Sequence, residues 1–356
     1  MRNSMFGPTH TRPPIAVDSP YFEDLAVGQV FDDAPAVTLT SGHAAFHAAL
    51  FGDRLRLPLS EPLCHAVTGS RRPLAHPNLV CNVAIGQTTT PSQRVRGNLF
   101  YRGLVLQRPV FIGDTLTTST EVVARRQNRT KPGRDATGIA VLRVHVENQH
   151  GETVLDFWRC PMLPCRDPAA DSSVDRGAGD TFETIPAELD MDAVRAAVVS
   201  DWRLDIFREA AAGPHFDDIE AGTRYVIEAA DTVTSAPELA RQTLNLAQAH
   251  TDAAASPYGR RLVYGGHTIS MASAQLSRAL PNLVTLIAWR GCDHRAPVFE
   301  GDRLQTELEV IATHELKSGG GLVDLHVLVS AERGPEAPEP GKRECVLDWH
   351  LLAQMA

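Results

Sequence analysis

The chain has 356 residues, enough to bury two hydrophobic cores, and its 43% hydrophobic and 22% charged residues are those of an ordinary soluble globular protein. A net charge of −9 with only three lysines (Lys131, Lys317, Lys342) excludes a basic nucleic-acid-binding field and leaves any phosphate recognition to arginine. No apolar run approaches the roughly 20 residues that a bilayer-spanning helix needs.

Residues 1–18 open with MRNSMFGPTHTRPP, which lacks an apolar signal-peptide core and reads as a mobile N-terminal tail. Six cysteines (Cys64, Cys81, Cys160, Cys165, Cys292, Cys345) are scattered through apolar contexts. Cys160 and Cys165 enclose PMLP, too stiff and apolar for a usual metal knuckle. Buried reduced thiols and a cytoplasmic location are expected, with no metal and no cofactor.

The chain repeats itself. Tyr21 to Gly28 (YFEDLAVG) matches His215 to Gly222 (HFDDIEAG), with Phe22 and Phe216 offset by 194 residues. Pro109 to Leu116 (PVFIGDTL) matches Pro297 to Leu304 (PVFEGDRL) at an offset of 188, and Val154 to Phe157 (VLDF) matches Val346 to Trp349 (VLDW) at 192. Three matches in one order at nearly one offset indicate a duplicated domain, and two copies suggest a pseudo-dimer rather than a solenoid.

In the first copy, residues 19–165, Ser41 to Phe51 and Asn78 to Ile85 are helical. Strand-like runs follow at Val95 to Leu106, Thr115 to Ala124, Gly138 to Val146 and Thr153 to Met162. Residues 166–213 form a linker whose first third is polar, Asp-rich and expected to be mobile; its Met191 to Ala211 stretch is amphipathic and predicts one helix. The second copy, residues 214–356, starts a helix at Ser235-Ala-Pro-Glu238, a capping box. Ile269, Ala272, Leu276 and Leu280 then fall at helical spacing before Pro281. Its strands are expected at Val284 to Trp289, Leu304 to Thr313, Gly321 to Val329 and Cys345 to Leu352. Helices followed by antiparallel strands, twice, make an α+β pattern.

The stretch Leu244 to Ala272 (LNLAQAHTDAAASPYGRRLVYGGHTISMA) carries the most chemistry. Asn245 and His250 lie on one side, and Gly265 and Gly266 open a helix on the other. A histidine beside a helix N-terminus with free backbone N–H groups can polarise a carbonyl and move a proton.

The PVFxGDxL turn in both halves, AHPNL at Ala75 to Leu79 and GRRLVYGGH at Gly259 to His267 resemble the MaoC-like hydratase family in its double-hotdog form. The last run is similar to mesaconyl-CoA (2-methylfumaryl-CoA) hydratase-type enzymes and to a group of actinobacterial double-hotdog proteins. The resemblance covers most of the chain outside the tail and linker. It implies a tandem hotdog, two curved antiparallel sheets each wrapping a central helix. It also implies addition or elimination of water at a 2-enoyl thioester, branched or dicarboxylic by the mesaconyl likeness.

The family motif is Gly-Asp-x-Asn-Pro-x-His. In the second copy Leu244-Asn245-Leu246-Ala247-Gln248-Ala249-His250 keeps the His and has Asn245 at the Asp position. In the first, Gly52-Asp53-Arg54-Leu55-Arg56-Leu57-Pro58 keeps the Asp and lacks the His. Asn245 can orient a water but cannot take its proton. On an unbroken helix Asn245 and His250 would point roughly 140° apart, so their convergence requires the helix to distort or end after Asn245.

The catalytic candidates are therefore His250, Asn245 and the N–H groups of Gly265 and Gly266. Tyr264, His267, Arg260, Arg261, Asp293 and His294 are substrate-binding candidates: the arginines for CoA phosphates, Asp293-His294 as a source of the missing carboxylate. Asp53 reads as structural. The expected partner is a CoA thioester, with no nucleic acid and no membrane, and the pseudo-dimeric chain is a candidate homodimer. Two rival readings stand: a non-catalytic acyl-thioester-binding protein, which the incomplete motif favours, and a hotdog thioesterase, which needs a carboxylate at the thioester.

Overall fold

The computed structural model describes residues 17–170 and 185–356. The expectations for residues 1–16 and for most of the Asp-rich first third of the linker lie outside them.

The first half runs β1 (Val30–Phe31), β2 (Val37–Thr38), α1 (Ser41–Phe51), α2 (Arg56–Leu59), α3 (Glu61–Thr68), α4 (Pro77–Gln87), β3 (Gly97–Leu106), β4 (Thr115–Gln127), β5 (Thr137–Glu147) and β6 (Thr153–Pro164). After α5 (Met191–Ala197) and α6 (Leu204–Ala210), the second half runs β7 (Arg224–Val226), β8 (Asp231–Thr232), α7 (Ala236–Gln242), α8 (Gly265–Ala279), β9 (Leu283–His294), β10 (Arg303–Glu315), β11 (Gly321–Glu332) and β12 (Arg343–Met355). Each half-sheet is antiparallel. Pairing of β3 with β9 joins them into one sheet in the order β1-β4-β5-β6-β3-β9-β12-β11-β10-β7. This is the duplicated α+β pattern expected from the repeat, arranged as the tandem hotdog that the family resemblance implies.

The sheet encloses the two long helices because its strands alternate. Along β4, Leu116, Thr118, Thr120, Val122 and Ala124 point inward, as the two-residue strand period requires. Every residue of α4 is buried, and so are twelve of the fifteen in α8; such helices need no polar face. Gln87 and Gln275 tie the two helices to the sheet in the same way, each donating its amide to a strand carbonyl, Leu116 or Leu304, at 3.0 Å. These residues, like the turns Phe111–Asp114 and Phe299–Asp302, are offset by 188. Gly113 and Gly301 take positive φ there (+102° and +87°), which favours glycine.

Three local expectations change. Ser235 does not cap α7: it lies at φ +56° without a cap bond, and the Glu300 carboxylate accepts the Ala236 N–H instead. The linker forms two short helices rather than one, α5 capped by Asp190 and α6 after a break at 198–203. Strand β9 continues past Trp289 through Asp293-His294. No disulfide joins the cysteines; five are buried and Cys345 is exposed. Among the described residues no helix is long and apolar enough to cross a membrane.

Candidate active site

Helix α7 ends where the motif needs it to. Leu244 turns left-handed (φ +56°), the Asn245 N–H reaches back to the Ala240 carbonyl at 2.8 Å and the Leu244 N–H to that of Arg241 at 3.2 Å. This is a Schellman cap with leucine in the position glycine usually takes. The chain then leaves the helix, and Gln248–His250 forms a 3-10 turn. Asn245 and His250 consequently line one pocket, without the proline of the family motif.

The first half holds this segment in place. The Thr89 hydroxyl accepts the Leu246 N–H at 2.9 Å and the Gln93 carbonyl accepts that of Gln248 at 2.8 Å. Gly86 of α4 lies against the Thr243 carbonyl so closely that a Cβ there would come within 1.9 Å of its oxygen.

The pocket, about 950 Å³ including its open mouth, lies between the halves. From the second half it takes Asn245, His250, Tyr264, Gly265, Thr268 and His294; from the first, Arg96, Asn98, Tyr101, Arg159 and Met162. His250 Nδ1 lies 2.8 Å from the Leu262 carbonyl, which can only accept, so the proton sits on Nδ1 and Nε2 is a free acceptor. Burial pushes the His250 pKa down to about 4, outweighing that carbonyl's opposing pull; the positive charge of Arg159 adds to the depression. The imidazole is neutral at pH 7. Asn245 spends its side-chain oxygen on the Ala247 N–H at 2.9 Å.

Tyr264 stands one residue before α8, and its hydroxyl donates to the Asn82 carbonyl at 3.1 Å. Neither Gly265 nor Gly266 needs positive φ; close approach demands glycine instead. A Cβ on Gly265 would sit 2.6 Å from the His294 ring, and one on Gly266 would sit 2.1 Å from Asn82 Oδ1. His294 is half-buried, its buried Nε2 has no partner among the described residues, and desolvation lowers its pKa to about 4.

Several candidates fall outside the pocket. Of the two glycines only Gly265 lines it. His267 is buried on the other side of α8, edge-on to Phe51 at 4.9 Å. Arg260 lies over the Phe299 ring and donates to the Glu300 carbonyl, while Arg261 pairs with the Glu300 carboxylate at 2.7 Å. Asp293 alternates to the face opposite His294 and pairs with Arg102 at 2.6 Å, so it supplies no carboxylate. Asp53 is buried against His76 at 3.1 Å and accepts the Ser273 hydroxyl at 2.7 Å. Burial alone would raise its pKa, but these partners hold it well below the usual carboxylate range.

The repeat places a second pocket at the related position. Leu74, Ala75, Pro77, Val80 and Val110 stand where Leu262, Val263, Gly265, Thr268 and Val298 line the first. It is smaller, about 410 Å³, and linker residues Ala197, Val199 and Trp202 line it too. Leu106 replaces His294 there. Of these two pockets, the first is lined by histidines and the second, among the described residues, by none. Sequence reasoning missed Tyr101 and Arg159; for Arg159 a signal lay in the repeat, where VLDFWR aligns with VLDWHL and sets Arg159 at the position of Leu351.

The mesaconyl-CoA hydratase family model matches residues 12–279. The chain belongs to that family. A mesaconyl-CoA hydratase of Cereibacter sphaeroides is 31% identical over 327 residues, covering 89% of this chain and 90% of the relative. A beta-methylmalyl-CoA dehydratase of Chloroflexus aurantiacus is 30% identical over 300 residues, 82% of each. Among solved structures, a conserved Mycobacterium tuberculosis protein described as having a double hotdog fold is 48% identical, with TM-score 0.85 over 96% of this chain and 100% of that one. A putative MaoC-domain dehydratase from Chloroflexus aurantiacus is 26% identical, with TM-score 0.80 over 95% and 97%. The chain is thus an enzyme of the acyl-CoA hydratase/dehydratase type.

Proposed function

We propose that this enzyme reversibly adds water to a branched, dicarboxylic 2-enoyl-CoA of the kind for which its two relatives are named, with His250 as the catalytic base. The observation carrying this reading is the His250–Leu262 hydrogen bond, which leaves Nε2 unprotonated at neutral pH on a residue that lines the pocket. His250 Nε2 takes a proton from water as its oxygen bonds to the β-carbon, and the imidazolium returns that proton to the α-carbon. Asn245, its oxygen already engaged, offers its amide N–H groups to the water oxygen. The charge developing on the thioester oxygen falls to the backbone N–H of Gly265 at the start of α8, where the helix dipole favours it. The first half supplies the opposite wall and retains no working copy of the site.

A panel of short, branched and dicarboxylic enoyl-CoA esters tests this, scored both for loss of enoyl absorbance and for release of free thiol. Absorbance loss without thiol is expected. Thiol release would support a thioesterase, and binding without either would support a non-catalytic thioester-binding protein.

A further inference from the structure

We infer that Arg159 builds a carboxylate subsite in the pocket wall and thereby selects acyl groups bearing a second, free carboxylate. This assignment of the acyl end rests on the hydratase reading above. Arg159, on β6, is 3% exposed. Its Nη1 donates to the Thr88 hydroxyl at 2.5 Å and its Nη2 to the Ser92 hydroxyl at 3.0 Å, while Nε has no partner among the described residues. Among the described residues no carboxylate comes within ion-pair distance of it. The other buried arginine, Arg333, shows what is missing: it pairs with both Asp302 and Glu344. A buried guanidinium without a counter-charge is heavily penalised, which a ligand anion would relieve.

The surroundings point the same way. In a chain of net charge −9, no Asp or Glu among the described residues lines this pocket, and its histidines are neutral. A CoA phosphate, which stays near solvent, does not account for Arg159: Arg96 and Arg295 line the same pocket part-exposed, whereas Arg159 is almost wholly buried. A buried guanidinium suits the part of the substrate that enters completely, the acyl group. Thr88 and Ser92 use two of the five N–H donors, and the planar fork that remains matches a carboxylate. The repeat adds an internal comparison. Where the related pocket is reduced, the position of Arg159 is leucine, Leu351. Arg159 also adds to the depression of His250 basicity that burial causes, so a carboxylate docked on it would offset the Arg159 share of that depression.

The test is a ratio. Fumaryl-CoA and crotonyl-CoA share one skeleton and differ by a terminal carboxylate against a methyl. The kcat/KM ratio of the first to the second is expected to fall about 10- to 100-fold in Arg159→Met, and less in Arg159→Lys, as for lost charge-assisted hydrogen bonds. A ratio unchanged in both variants overturns the subsite while leaving the hydratase reading intact. Calorimetry with the unreactive pair succinyl-CoA and butyryl-CoA separates the two claims. If the wild type hydrates neither enoyl ester yet prefers succinyl-CoA, and Arg159→Met loses that preference, the hydratase reading fails and the subsite stands. Should neither variant fold, the wild type decides alone: equal affinity for succinyl-CoA and butyryl-CoA overturns the proposal.

Discussion

His250 Nδ1 donates to the Leu262 carbonyl at 2.8 Å, and the Leu262 N–H in turn donates to the Ala249 carbonyl at 2.8 Å. This reciprocal pair ties the 3-10 turn to the strand-like segment leading into α8. It sets ring orientation and tautomer together, so the base and the helix N-terminus are positioned as one unit.

The pH dependence follows from burial. The folded pKa of His250 is about 4 against 6.5 for a free imidazole, so kcat/KM is expected to stay flat from pH 8 to about pH 5.5. An unperturbed histidine would halve the rate near pH 6.5, and a profile bending there contradicts the assignment. Stability behaves differently. His250, His267 and His294 all have folded pKa values lowered by burial to about 4. Their contribution is complete above pH 6.5 and is lost as pH falls from there toward 4, because the unfolded chain takes up protons first. Urea unfolding should show a loss of at least about 2 kcal/mol across that window.

Gly265 and Gly266 are expected to fail differently. Gly265→Ala pushes a methyl into the His294 ring and shifts the first N–H of α8, lowering kcat/KM by roughly 10- to 100-fold with a smaller effect on stability. Gly266→Ala collides with Asn82 and is expected to cost about 1–3 kcal/mol in denaturant unfolding. Steady-state kinetics and unfolding of both variants check this division.

Leu244 carries backbone strain that glycine would not. Leu244→Gly should preserve the cap and stabilise the protein by about 1 kcal/mol, since a non-glycine residue at positive φ pays a steric cost of that order. A destabilised Leu244→Gly variant would show that the 41% exposed leucine side chain contributes more than its backbone costs.

The linker packs into the core. Trp202 and Phe207 are buried with Leu57, Cys64, Val67 and Leu74, and Trp202 also lines the reduced pocket. Trp202→Ala is expected to destabilise by about 3–5 kcal/mol while leaving KM for the thioester within a factor of about three, because it touches only the reduced pocket.

Much of this was legible in the sequence. The repeat marked the tandem fold, and α1 spans Ser41–Phe51 as its alanine-rich pattern predicted. His250, Asn245 and Gly265, which line one pocket, stood out in the sequence because they lie in one local stretch. Their convergence could not, since it depends on Leu244 adopting a conformation that its residue type disfavours. Arg260 and Arg261 looked available for phosphate because Glu300, about 40 positions away, is adjacent only after folding. Arg159 went unnoticed for a related reason. It lies in the half that lacks the motif histidine, and only folding, through the β3–β9 junction and the packing of α4 on α8, brings that half to the site.

The central claim is that His250 moves the proton. Its most direct measurement is the initial rate of mesaconyl-CoA hydration by the wild type and by His250→Ala at pH 7.5, with thermal unfolding recorded for both. The account predicts turnover by the wild type and a loss of about 10²- to 10⁴-fold in a folded His250→Ala, the usual contribution of a positioned base. Equal rates in the two proteins would contradict it.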